Sequence, residues 1–214
     1  MIWLGLATAI FVVALYQSPP TIFLEQPLKK LGWLIIIFLA IAWNMSPTFP
    51  GQLPGKFYGL IFHFYGASLL TAMFGPAIAL TILFPVAMLG IFVVQGSYID
   101  ASQQYLIVGV VPTLFSYLSI RAIQRYIPRH LFVLILGNGY VAAFASVMLS
   151  GGFLLALQFA LGYHPPNFEF EGWLLGLIII AFMEASLSGM LLAIFLIFRP
   201  NWVSTYNEAA YMSR

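Results

Sequence analysis

Two ionisable side chains stand well inside long apolar runs: His63 in FYGLIFHFYGASLLTAMF and Glu184 in WLLGLIIIAFMEASLSGMLLAIFLIF. A charge near the middle of a bilayer costs roughly 2.5–3.5 kcal/mol on insertion scales, so such residues persist where protein buries them and gives them a task. An imidazole is a good ligand for Ni, Co, Cu and Zn. A carboxyl group there can accept a proton or attract a cation. Each residue has a second reading. His63 can be a buried histidine hydrogen-bonded to a neighbouring helix, and Glu184 a protonated, hydrogen-bonded acid. Asn138, between two glycines, is a third candidate: a partner of Glu184 on a substrate path, or a structural amide.

The other polar clusters read as surface. His164, Glu169 and Glu171 lie in YHPPNFEFE, where Pro165-Pro166 stiffens a solvated turn and the spacing fits no metal motif. RAIQRYIPRH reads as an anchor at the headgroups, or as a docking surface for a partner subunit.

Lipid must be the solvent for most of the chain. It is 62% hydrophobic and 7% charged, with a mean hydropathy of +1.00. No polar stretch exceeds about 15 residues, well short of a separate soluble domain. The expectation is an all-α, polytopic membrane bundle, one integral membrane domain over residues 1–214. A net charge of +2 gives no reason to expect nucleic acid. The absence of cysteine excludes disulfides, thiolate metal sites and cysteine nucleophiles. There is no phosphate-binding lysine loop, no HExxH and no GxSxG. The first run begins at Ile2 with no basic residue before it and no small-residue cleavage site after it, and reads as a retained span.

Seven apolar segments position the candidates: Ile2–Tyr16, Leu31–Met45, Phe57–Phe74, Pro76–Val94, Tyr105–Ile120, Leu131–Leu161 and Trp173–Phe198. The first two are short and must borrow flanking residues. The sixth is long and must tilt, protrude or break, with Gly151-Gly152 the natural place for a break. With seven spans, Lys29, Lys30, Arg121, Arg125, Arg129, Arg199 and Arg214 share one side, and of the eight basic residues only Lys56 lies on the other. This split puts the C-terminus in the cytoplasm and the N-terminus outside, across the inner membrane. Helical spacing puts His63 on one face with Gly66, Ala67 and Thr71, and Glu184 with Ser188, so both face the bundle interior. Small residues four apart, Ala67/Thr71/Gly75, Gly139/Ala143 and Ala185/Gly189, mark close helix contacts. Pro85 is expected to kink the fourth span.

Two stretches carry a family resemblance. HFYGASLLTAMFGPAIALTIL resembles a segment of the cobalt/nickel energy-coupling-factor permeases (CbiM/NikM-like) in which a His is followed by a Gly, small residues and Gly-Pro. MEASLSGMLLAIFLIFRPNWVSTYNEAAYM resembles the closing segment of that family, where a Glu starts a small-residue run ending in Arg-Pro. WVSTYNEAAY is most similar to a proteobacterial branch ending in Trp-Val-Ala-Thr-Phe-Asp-Asp and a Tyr. The resemblance implies the substrate-capturing subunit of an ABC transporter, working with a transmembrane coupling subunit and paired cytoplasmic ATPases. It implies Co²⁺ or Ni²⁺ as the transported substrate, no resident cofactor and no enzymatic activity. It also implies that His63 is one metal ligand. The chain departs from the pattern at its start: Met1-Ile2-Trp3 stands where the family has Met-His-Ile-Pro-Asp-Gly, whose histidine is a second imidazole ligand. Two rival readings follow. One is a protein of the same fold that has lost metal binding and acts on another small substrate or as a scaffold. The other is an intramembrane enzyme using His63 and Glu184 as acid and base, which lacks a nucleophile motif.

Overall fold

In a computed structural model of the chain, residues 2–18, 21, 23, 28–44, 64–94, 97–127, 130–162 and 168–206 are described. They form seven helical rods and a short closing turn. The rods are α1 (Ile2–Gln17), α2 (Leu28–Asn44), α3 (Ala67–Phe74) and α4 (Pro76–Val94), then α5 (Tyr98–Tyr126), α6 (Leu131–Ala160) and α7 (Phe170–Phe198). A 3-10 turn, Pro200–Trp202, follows. The described residues contain no strand. Helices α5, α6 and α7, at 29, 30 and 29 residues, are each long and apolar enough to cross a bilayer.

The expected segments and the rods agree where composition alone decides. Helix α4 spans the residues read from the sequence, with Pro85 inside it. Helix α5 begins seven residues before its apolar run. Its first turn is polar and closed by a capping box: Asp100 N–H donates to Ser97 Oγ at 3.1 Å, and Ser97 N–H donates to Asp100 Oδ2 at 3.1 Å. Helix α6 runs through Gly151-Gly152 without the expected break. A Cβ at Gly151 would stand 2.4 Å from Leu177 Cδ1, so this glycine is a contact point with α7. Helix α6 carries a π-helical stretch over Leu134–Val141. A second π-helical stretch, Tyr105–Val110, lies in α5.

The third segment differs most. The expected helix over Phe57–Phe74 is helical only from Ala67, and residues 57–63 lie outside the described residues. Residues 64–66 are not helical, and Gly66 has φ 71°, a left-handed conformation that costs other residues about 1–2 kcal/mol. The helix therefore starts at a turn, and the helical face that was to carry His63 beside Gly66 and Thr71 does not exist as a continuous face.

At about 1.5 Å per residue, α3 is roughly 12 Å long and cannot cross a bilayer by itself. It is instead the centre of the bundle. All eight of its residues are buried, and α4, α5, α6 and α7 pack around it. Helix α1 lies against α4 and α5, and α2 against α4. Three serines join the rods around α3. Ser116 Oγ–H donates to Ser68 Oγ at 2.8 Å, and Ser146 Oγ–H donates to the Ala143 carbonyl at 2.8 Å. Each hydroxyl has one hydrogen. Ser68 must therefore donate to Ser146, 2.8 Å away, and the chain runs one way. At the far end of α3 the chain after α7 folds back onto it. Ser204 N–H donates to the Met73 carbonyl at 2.6 Å, Thr205 Oγ1–H donates to the Ala72 carbonyl, and Val203 is buried.

The small-residue patterns meet each other. A Cβ on Gly139 would lie 3.0 Å from Gly189 Cα, so α6 and α7 touch backbone to backbone there.

Candidate functional site

Glu184 sits in mid-helix on α7 and is 1% exposed. Both of its oxygens are occupied. Tyr65 N–H donates to Oε2 at 2.7 Å, and Gly66 N–H donates to Oε1 at 3.0 Å. Ser188, one turn along the same face, adds a long contact of 3.4 Å to Oε1. The local reason is the turn at Gly66. A helix leaves its first amides without partners. Here a buried acid from another rod takes the two amides just ahead of α3. Hydrogen bonds to charged groups contribute about 1.5–3 kcal/mol each, and an unsatisfied buried amide costs about 1–3 kcal/mol.

The same peptide is held from the other side. Trp43 on α2 is 2% exposed, and its Nε1–H donates to the Tyr65 carbonyl at 3.1 Å. A Cβ at Gly66 would also fall 2.8 Å from Leu39 Cδ2, so Leu39 would have to shift to admit one. The segment that follows His63 is thus pinned by α2 and α7 together.

The predicted site residues fall out unevenly. Glu184 faces the interior as expected. His63 and His164 lie outside the described residues. His130 is exposed, and its Nδ1 accepts Phe132 N–H at 3.2 Å, capping the start of α6. Asn138 is 1% exposed in the π-helical stretch of α6, beside the Gly139–Gly189 contact. It is not among the partners of Glu184, and neither of its amide atoms has a hydrogen-bond partner among the described residues. No group of three His, Asp or Glu side chains gathers among the described residues. Tyr65 and Trp43 were not singled out in the sequence, and Gly66 was read only as a small residue on the helical face of His63. A glycine two residues after an aromatic in an apolar run was the available signal.

The chain matches the family described as cobalt uptake substrate-specific transmembrane region over residues 1–202 of 214. It belongs to that family. A cobalt-uptake transmembrane region is the substrate-binding component of a transport system, and the long apolar helices make this one an integral membrane protein. The family match takes in the first resembling stretch, residues 63–83, and the second as far as Trp202. No curated protein and no solved structure gives a match. In this cobalt-uptake region, the pinned turn at Tyr65-Gly66 lies between the residues of the first resembling stretch, and its anchor Glu184 lies in the second.

Proposed function

We propose that this chain captures Co²⁺ or Ni²⁺ as the substrate-binding subunit of an energy-coupling-factor transporter in the bacterial inner membrane. A transmembrane coupling subunit and paired cytoplasmic ATPases complete the assembly, and the C-terminus lies in the cytoplasm. His63 supplies an imidazole ligand. Glu184 sets the position of that ligand, and Asn138 lies farther along the substrate path.

The observation that carries this reading is the grip of Glu184 on Tyr65 and Gly66. His63 precedes Tyr65 by two residues, and two residues of chain reach no farther than about 7 Å. A fixed anchor this near limits where the imidazole can go, and pre-organised ligands bind metal better than mobile ones.

Metal titration of the detergent-purified protein tests the proposal. The native chain should bind Co²⁺ or Ni²⁺. His63→Ala should abolish binding and keep the fold, since one side chain adds little to helix packing in lipid. Binding should fall as the pH drops below about 6, because protonated imidazole cannot ligate a metal. A native chain that binds neither ion, or a His63→Ala variant that binds like the native chain, would overturn the metal reading in favour of a same-fold protein without it.

A further inference from the structure

A groove of about 280 Å³ lies between α2, α3 and α7. Leu31, Ile35 and Phe38 form one wall, Leu70 the floor, and Phe195 and Trp202 the other wall. Every residue lining it is apolar. The floor belongs to the buried core, whereas Phe38 on the rim is 63% exposed, so the groove opens toward lipid. An unfilled apolar slot forfeits packing contacts along its whole length, so it favours an apolar occupant.

The charges at one end specify that occupant further. Lys29 and Lys30 immediately precede Leu31 on α2. The Arg199 guanidinium stands 5.8 Å from the centroid of the Trp202 ring. All three cations are exposed, and none has a carboxylate partner among the described residues. The groove is therefore apolar along its length and carries three exposed cations at one mouth. An apolar groove with exposed cations at one mouth matches a hydrocarbon chain that carries an anionic head.

We infer that this groove binds an anionic phospholipid, with one acyl chain between α2 and α7 and its phosphate at Lys29, Lys30 and Arg199. Gly66 lines the inner end of the groove, so a seated chain abuts the back of the turn that Glu184 holds. The assignment does not depend on the metal reading.

Native mass spectrometry of the protein, purified in mild detergent with equal phosphatidylglycerol and phosphatidylcholine, tests it. The native chain should retain one phosphatidylglycerol, with at least about a tenfold preference over phosphatidylcholine. The triple variant Lys29→Gln, Lys30→Gln, Arg199→Gln should lose that preference and still retain lipid of either kind. Ile35→Trp should fill the groove and release the lipid, with helicity unchanged by circular dichroism. The charge variant leaves the groove lining intact, so it decides the matter even if Ile35→Trp fails to fold. Equal retention of the two lipids by the native chain would overturn the assignment. So would a preference that survives in the triple variant, or a crosslink from position 35 to a partner helix in place of lipid.

Discussion

Glu184 and Gly66 lie 118 positions apart in the chain and meet at 3.0 Å, carboxylate oxygen to backbone amide. The pair joins the middle of the last apolar run to the start of the buried helix α3. It converts a residue that composition marks as costly into the anchor of a turn. Gln has only one carbonyl oxygen, and its NH₂ group would face an amide that needs an acceptor. Glu184→Gln should therefore destabilise the protein by about 1–3 kcal/mol, and Glu184→Ala, which strands two buried amides, by about 2–6 kcal/mol. Unfolding in a detergent titration measures both. Equal stability of the alanine variant and the native chain would remove the anchor from the account.

The serine chain has a direction, and direction predicts unequal costs. Ser68 is both acceptor and donor, so Ser68→Ala leaves the Ser116 hydrogen without its acceptor and removes a donor from Ser146. Ser116 only donates to Ser68, so Ser116→Ala leaves an unfilled acceptor, which is the cheaper loss. Ser68→Ala should cost about 1–2 kcal/mol and Ser116→Ala about 0.5 kcal/mol, in line with interhelical hydrogen bonds in membranes. The reverse order in the same unfolding assay would contradict the direction assigned to the chain.

Gly151 and Gly152 are neighbours with opposite surroundings. A Cβ at Gly151 collides with Leu177, whereas a Cβ at Gly152 meets nothing within 4 Å. Gly151→Ala should destabilise the α6–α7 contact by about 1–3 kcal/mol. Gly152→Ala should be neutral or stabilising by up to about 1 kcal/mol, since alanine favours a helix interior. Comparison of the two variants checks the register of α6 on α7.

Reporter fusions check the orientation. With the basic ends of the rods inside, fusions at Lys29 and Arg125 should report cytoplasm, and those at Gln52 and Glu169 the periplasm. A cytoplasmic signal at Glu169 would invert or break the topology.

The rods were legible from apolar length. Helix α4 matches its segment at both ends, and α7 starts only three residues earlier than its segment. Glu184 was legible as an interior residue because lipid makes the alternative expensive. The turn at Gly66 was not. In lipid nearly every face of a helix is apolar, so periodicity loses its power to mark where a helix begins. The turn depends on an acceptor 118 residues away, which no local window contains. The uninterrupted path of α6 through Gly151-Gly152 was hidden for a related reason. A glycine pair that suggests a break in isolation is a packing surface once Leu177 lies against it. The polar first turn of α5 was legible in principle, through the Ser97–Asp100 capping box, but an apolar count passes over it.

The two ends of α3 are held by one stretch of chain. Glu184 grips the amides ahead of the helix, and Ser204 and Thr205 grip carbonyls at its far end. The first grip sits on α7 itself, on the unbroken helix from Glu184 to Phe198, and the second sits just beyond its end, after the 3-10 turn Pro200–Trp202. A shift of α7 along its axis therefore strains hydrogen bonds at both ends of α3. A force delivered near Arg199 reaches the Tyr65-Gly66 turn without passing through any flexible linker.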